Sequence, residues 1–187
     1  MPRVLIIGGG GREHALAHKF IEDENITIVH IICGNYGMYL THSKIIPHTN
    51  IGILEFRNIL NFCQLHNFSY EDLIIIGSEV PLAEGIVNYL ETGSNYTLSI
   101  FGPHMYNTQL ESSKVFAKSA MNYFDIPTAS YEVFHSKELT RALDYITKYY
   151  PHNTSNNNLP NLPNSPNSPK FVIKLSGLHE GKWEYNI

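Results

Sequence analysis

Four consecutive glycines, Gly8 to Gly11, separate the apolar run Val4-Leu5-Ile6-Ile7 from Arg12-Glu13-His14-Ala15-Leu16. A strand that turns at once into a helix through such a loop builds an anion site. The glycines let the backbone turn sharply and approach a ligand, and the N–H groups of the first helical turn point at a phosphate. Arg12 and His14 lie in that turn, where Arg12 can clamp a phosphate or carboxylate or stand in solvent. Glu13 is either a site residue or an acid favoured by the helix dipole. Gly77-Ser78-Glu79-Val80-Pro81-Leu82 sets a carboxylate beside a second strand end. Glu79 there either accepts hydrogen bonds from sugar hydroxyls or an amine, or stabilises the following helix. Lys114 and Lys118 share a helix face one turn apart. Lys174 closes a short apolar strand directly before Gly177, where a lysine meets nucleotide phosphates or reaches water.

The elements that must position these residues alternate. Residues 3–7, 27–32, 73–76 and 98–101 read as strands, and residues 12–22, 54–65 and 82–91 as helices. Strands apolar throughout and separated by helices imply a parallel sheet covered on both faces. Such sheets bind ligands beyond the carboxyl ends of their strands. Gly8 to Gly11, Gly34-Asn35-Tyr36-Gly37, Gly77 to Pro81 and Gly102-Pro103 all stand at those ends. Beyond Pro103 the spacing predicts a helix over 107–124, a strand over 128–134, a helix over 136–150 and a short strand over 170–174. The Asn/Pro/Ser-rich stretch 151–169 cannot bury a core and reads as a disordered insert. Two domains are expected, an α/β domain over 1–102 and a second over 103–187.

Composition narrows the function classes. With 187 residues, 43% of them hydrophobic, the chain is globular, and its net charge of −4 lacks the basic footprint of a nucleic-acid binder. Two cysteines, Cys33 and Cys63, without a CxxC pattern fit a reducing cytosol rather than a disulfide or zinc scaffold. The ten histidines are scattered with no metal-ligand spacing. No leader peptide or membrane span is expected. A nicotinamide or flavin is disfavoured. Glu13 occupies the place of the third fingerprint glycine, and the second strand ends in Cys33-Gly34-Asn35 without the acid that grips a ribose.

In this order and spacing the motifs resemble phosphoribosylamine–glycine ligase, an ATP-grasp family of purine biosynthesis. The resemblance rests on Gly8 to Ala15 (GGGGREHA), Gly34-Asn35-Tyr36-Gly37, Glu79-Val80-Pro81-Leu82 with Gly85-Ile86-Val87, and Phe101-Gly102-Pro103. It continues through Leu110-Glu111-Ser112-Ser113-Lys114, Ile126-Pro127-Thr128-Ala129 and Val172-Ile173-Lys174. It implies a Rossmann-like domain ahead of the start of an ATP-grasp small lobe. It implies ATP-dependent ligation of glycine to 5-phosphoribosylamine, giving glycinamide ribonucleotide, ADP and phosphate. ATP would phosphorylate the glycine carboxylate, and the amine would then attack the acyl phosphate. By the resemblance, Gly10, Gly11, Arg12, Glu13, Asn35, Gly37, Glu79, Pro81 and Leu82 would line the phosphoribosylamine site. Lys114 and Lys174 would meet the ATP phosphates. No catalytic residue and no metal ligand is assigned within the chain.

Magnesium is implied too, its carboxylates expected in a lobe that this chain does not contain, so the chain alone is expected not to turn over. Its partners would be these substrates and other purine-pathway domains, its place the cytoplasm. The flap departs from the family's pattern. Ser176 stands for an acid and Trp183 for a glycine, where only glycine takes the required conformation. The residues after Lys182 resemble nothing in the family and read as a foreign tail. A non-catalytic phosphosugar-binding module and a related ATP-grasp purine enzyme are the alternative readings.

Overall fold

In the computed structural model the described residues are 2–95, 97–149, 172–177 and 184–186. The insert 151–169 and most of the flap, including Trp183, lie outside them. The chain divides into two units, Met1–Ser112 and Ser113–Ile187.

The first unit is a five-stranded parallel sheet in the order β3-β2-β1-β4-β5. Its strands are β1 (Val4–Ile7), β2 (Val29–Ile32), β3 (Ile45–His48), β4 (Leu73–Ile76) and β5 (Ile100–Phe101). Central β1 is buried at all of its residues, which is why it is apolar throughout rather than alternating. Successive side chains take opposite faces. Leu5 and Ile7 join Ile32, Ile74 and Ile76 under α2 (Phe56–Leu65) and α4 (Ile86–Gly93). Val4 and Ile6 join Val29, Ile31 and Ile75 under α1 (Gly11–Ile21). Each such fully buried aliphatic side chain contributes about 1.5–3 kcal/mol.

Two expected helices are each divided. Residues 82–91 become the end of α3 (Glu79–Ala83) and most of α4, parted at Gly85, whose φ of 85° lies in the left-handed region. Its N–H closes α3 on the Leu82 carbonyl at 3.1 Å. Residues 107–124 become α5 (Met105–Ser112) and α6 (Lys114–Tyr123). Ser113 makes the break: its backbone is extended and its Oγ accepts the Phe116 N–H at 3.2 Å as an N-cap. The first unit runs past Gly102 to include α5, because the Asn88 Oδ1 accepts the Met105 N–H at 2.9 Å and Thr108 is buried.

In the second unit, α6 is followed by α7 (Leu139–Tyr149). Residues 128–134 form no strand. Lys118 Nζ captures the Thr128 hydroxyl at 2.6 Å and the Ala129 carbonyl at 3.0 Å instead. β6 (Val172–Lys174) pairs antiparallel with β7 (Glu184–Asn186), so part of the segment expected to be a foreign tail is a strand partner.

Candidate functional site

The sheet order places a switch point at the carboxyl ends of β1 and β4. From β1 the chain steps outward through β2 and β3, then returns to the other side of β1. Parallel sheets leave a crevice where the two directions part, and their ligands bind there. The glycine loop leaves β1 at this point, and Gly77 to Glu79 leave β4.

Glu13 fills the floor of the crevice. It is only 4% exposed, and its Oε2 accepts the Gly10 N–H at 2.6 Å. This acid three residues into the helix ties down the residue that caps it, as in one half of a capping box. Bare Cα atoms make its slot. A Cβ on Gly77 would lie 2.6 Å from Glu13 Cγ, and one on Gly8, whose φ is 135°, would lie 2.9 Å from its Cδ. One carboxylate oxygen is thus engaged in shaping the loop. The groups facing outward are the N–H groups of the first turn of α1, which have no partner within the helix, and the exposed Gly11 and Arg12.

Arg12 and Glu79 bridge the crevice. Arg12 Nη2 lies 2.9 Å from Glu79 Oε1. Glu79's own backbone N–H, and then the Arg12 guanidinium, hold its carboxyl below the usual carboxylate range. A cation and an anion therefore sit at the rim beside free helix-terminal N–H groups. That combination suits a ligand carrying both phosphate and hydroxyl or amine groups. Pro81 is buried and Leu82 packs against the core, so the two seat Glu79 rather than present polar groups.

Asn35 stitches the loops together. Its Nδ2 donates to the Gly9 carbonyl at 2.8 Å, and its Oδ1 accepts the Gly37 N–H at 2.9 Å. That second bond caps a 3-10 turn over Tyr36–Leu40. His14 reaches the same turn, with Nε2 3.4 Å from Thr41 Oγ1. Gly10, Gly11, Arg12, Glu13, Asn35, Gly37 and Glu79 thus converge on one region of the first unit.

Lys114 and Lys174 belong to the second unit. Lys114 Nζ donates to the Gly177 carbonyl at 3.1 Å, and Lys174 ends β6 just ahead of that residue. Both lysines come to the loop that follows β6.

Sequence reasoning missed Gly9 and Cys33 as site builders. A Cβ on Gly9 would lie 1.9 Å from the Cys33 carbonyl oxygen. Cys33 itself holds a φ of 62°, rare for a residue with a Cβ. The glycine run signals the first, but nothing in the sequence signals the second.

The family model described as phosphoribosylglycinamide synthetase, N domain, matches residues 2–111. The phosphoribosylamine–glycine ligase of Neisseria meningitidis serogroup B is 37% identical over 146 residues, covering 78% of this chain and 32% of that protein. The ligase of Clostridium acetobutylicum is 35% identical over 182 residues, covering 96% of this chain and 36% of that one. The trifunctional purine biosynthetic protein adenosine-3 of Chironomus tentans is 33% identical over 181 residues, 96% of this chain and 11% of that protein. A solved N5-carboxyaminoimidazole ribonucleotide synthetase from Thermotoga maritima superposes with a TM-score of 0.49 at 18% identity, over 78% of this chain and 36% of that one. The chain spans about a third of the length of the bacterial ligases it matches. With the N-domain model matched across the whole sheet unit, the chain belongs to the phosphoribosylglycinamide synthetase family.

Proposed function

We propose that this chain supplies the phosphoribosylamine-binding part of an enzyme that joins glycine to 5-phosphoribosylamine at the expense of ATP. The observation that carries the reading is the Arg12–Glu79 bridge across the switch-point crevice, beside the open N-terminus of α1. The first-turn N–H groups and Arg12 hold the phosphate, and Glu79 takes ribose hydroxyls or the amine. Glu13 and Asn35 keep the loops in the shape this needs. Lys114 and Lys174 at the loop after β6 are the groups for ATP phosphates, since both bring a cation to one strand end. For magnesium, the described residues include no group of three or more His, Cys, Asp or Glu able to hold the ion, so no step of this reading runs through it. The substrates are phosphoribosylamine, glycine and ATP, with further purine-pathway domains as partners and the cytoplasm as the place of work. No helix among the described residues is long and apolar enough to cross a membrane.

A thermal-shift titration tests the reading. Glycinamide ribonucleotide should raise the midpoint with concentration. A ligand at a hundred times its Kd that binds only the folded state adds about 2.7 kcal/mol. NAD should give no shift. A shift with NAD and none with glycinamide ribonucleotide would overturn the assignment and make the loop a dinucleotide site. Arg12→Ala tests the bridge. Exposed ion pairs add little stability, so the ligand-free midpoint should hardly move. The apparent Kd for glycinamide ribonucleotide, however, should rise about tenfold or more, the scale of a lost charge-assisted contact. An unchanged Kd removes Arg12 from the site.

A further inference from the structure

Three histidines far apart in sequence meet on the face of the sheet covered by α2. His30 projects from β2 and is 6% exposed. Its Nδ1 lies 3.0 Å from Nε2 of His48, at the end of edge strand β3. His66, just past α2, lies with its ring centroid 5.4 Å from that of His30 and 6.4 Å from that of His48. Phe62 and Phe68 close around the group. The charged groups facing His30 from the remaining elements are Arg3, ahead of β1, and Asp72, ahead of β4. Asp72 is already engaged by Arg3, whose Nη2 lies 2.6 Å from its Oδ2.

At 3.0 Å the His30–His48 contact holds one proton between two nitrogens. A second proton would set two cations in contact, with a third histidine and a guanidinium beside them and Asp72 already paired. Burial first, then His48, His66 and Arg3, push His30 down to about 4, against a partial upward pull from Asp72. Burial and then His66 lower His48 as well.

The pair also bears on the loop above it. The His48 carbonyl accepts the Cys33 N–H at 2.9 Å. Cys33 in turn presents the carbonyl against which Gly9 packs. β3 is an edge strand, so β2 is its only neighbour in the sheet. Parting that one pairing releases it.

We propose that the His30–His48–His66 cluster is a proton-sensitive latch: a second proton on it parts β3 from β2 and frees the Cys33–Asn35 segment beneath the glycine loop. The opened form accepts the proton that the closed form refuses, so closure is complete above the ordinary histidine pKa of about 6.5 and is lost as pH falls toward about 4. The proposal needs no ligand, so its failure and that of the ligase reading are separable.

Backbone hydrogen exchange at pH 7.5 and pH 5, corrected for the intrinsic rate, tests it on the full chain. One group displaced this far gives a loss of protection of about 30-fold at the Cys33 amide. The Gly77 amide, held by the Ile7 carbonyl at 2.9 Å in the sheet centre, should lose far less. In His30→Gln, neutral at every pH, the Cys33 loss should fall well below about 30-fold, leaving the share of His48. An undiminished loss in the variant overturns the latch. Should the variant not fold, the unaltered chain decides: amide resonances of Cys33 to Asn35 that shift together with the His30 ring titration support the latch, and amides that stay unmoved through it overturn it.

Discussion

Gly9→Ala is expected to cost the first unit roughly 3 kcal/mol or more, at the upper end of what overpacking does, and to lower its Tm by more than about 10 °C. The new methyl carbon would stand 1.9 Å from the Cys33 carbonyl oxygen. That oxygen is main chain, so no rotamer change relieves the clash. Relief requires moving the loop after β1 away from the end of β2. Both neighbours of that contact are pinned: Asn35 Nδ2 holds the Gly9 carbonyl, and the His48 carbonyl holds the Cys33 N–H. Gly11→Ala is the internal control. A Cβ there meets nothing within 4 Å, and the residue opens α1, where alanine is a good helix former. Thermal melts of the two variants should therefore separate widely. If Gly9→Ala melts with Gly11→Ala, the close approach of the two strand ends is not what the loop depends on.

This contrast shows which parts of the molecule the sequence discloses. Runs such as Val4 to Ile7 and Leu73 to Ile76 are apolar at every position because both faces of the sheet are covered, and they read as buried parallel strands at once. The glycine run reads as a tight strand-to-helix turn for an equally local reason, since bare Cα atoms permit the close approaches found there. Strand β3 escapes notice because Ile45-Ile46-Pro47-His48 is short, carries a proline and sits at an edge, where one side needs no partner. The helix breaks at Gly85 and Ser113 were present in the letters but outweighed by apolar spacing on either side. Glu13 shows a subtler limit. Its type and position fit both a ligand contact and a cap, and only the slot formed by Gly8 and Gly77 shows that one of its carboxylate oxygens serves the cap. The histidine cluster was illegible in principle. Positions 30, 48 and 66 fit no ligand spacing, and only the parallel pairing of β2 with β3 under α2 brings them together.

The second large effect concerns a residue that no motif singles out. Asp72→Ala should destabilise the first unit by about 3–5 kcal/mol, the usual result of removing one member of a buried ion pair. Asp72 is 5% exposed and accepts the Arg3 N–H and Nε at 3.0 and 2.9 Å through Oδ1. Through Oδ2 it accepts Arg3 Nη2 at 2.6 Å and the Ser69 N–H at 3.0 Å. The same guanidinium donates to the His66 and Asn67 carbonyls at the end of α2, and its carbon lies 4.5 Å from the Phe68 ring centroid. Arg3 thus clamps the starts of β1 and β4 to the end of α2, and alanine at position 72 leaves its guanidinium without a counter-ion and the Arg3 and Ser69 N–H groups without their acceptor.

The pH profile separates this clamp from the histidines. Burial alone would raise the Asp72 carboxyl, but the hydrogen bonds from Arg3 and Ser69 outweigh it and hold the carboxyl below its ordinary value of 3.8. A depressed carboxyl stabilises the fold above its unfolded pKa and loses that contribution as pH falls through the folded one, so the Asp72 limb lies below about pH 4. The His30 limb lies between about 6.5 and 4. Denaturant melts across pH should show Asp72→Asn losing the lower limb while keeping the upper, and His30→Gln doing the reverse. Loss of both limbs in either variant would mean that one charge network, not two, sets the acid stability of the domain.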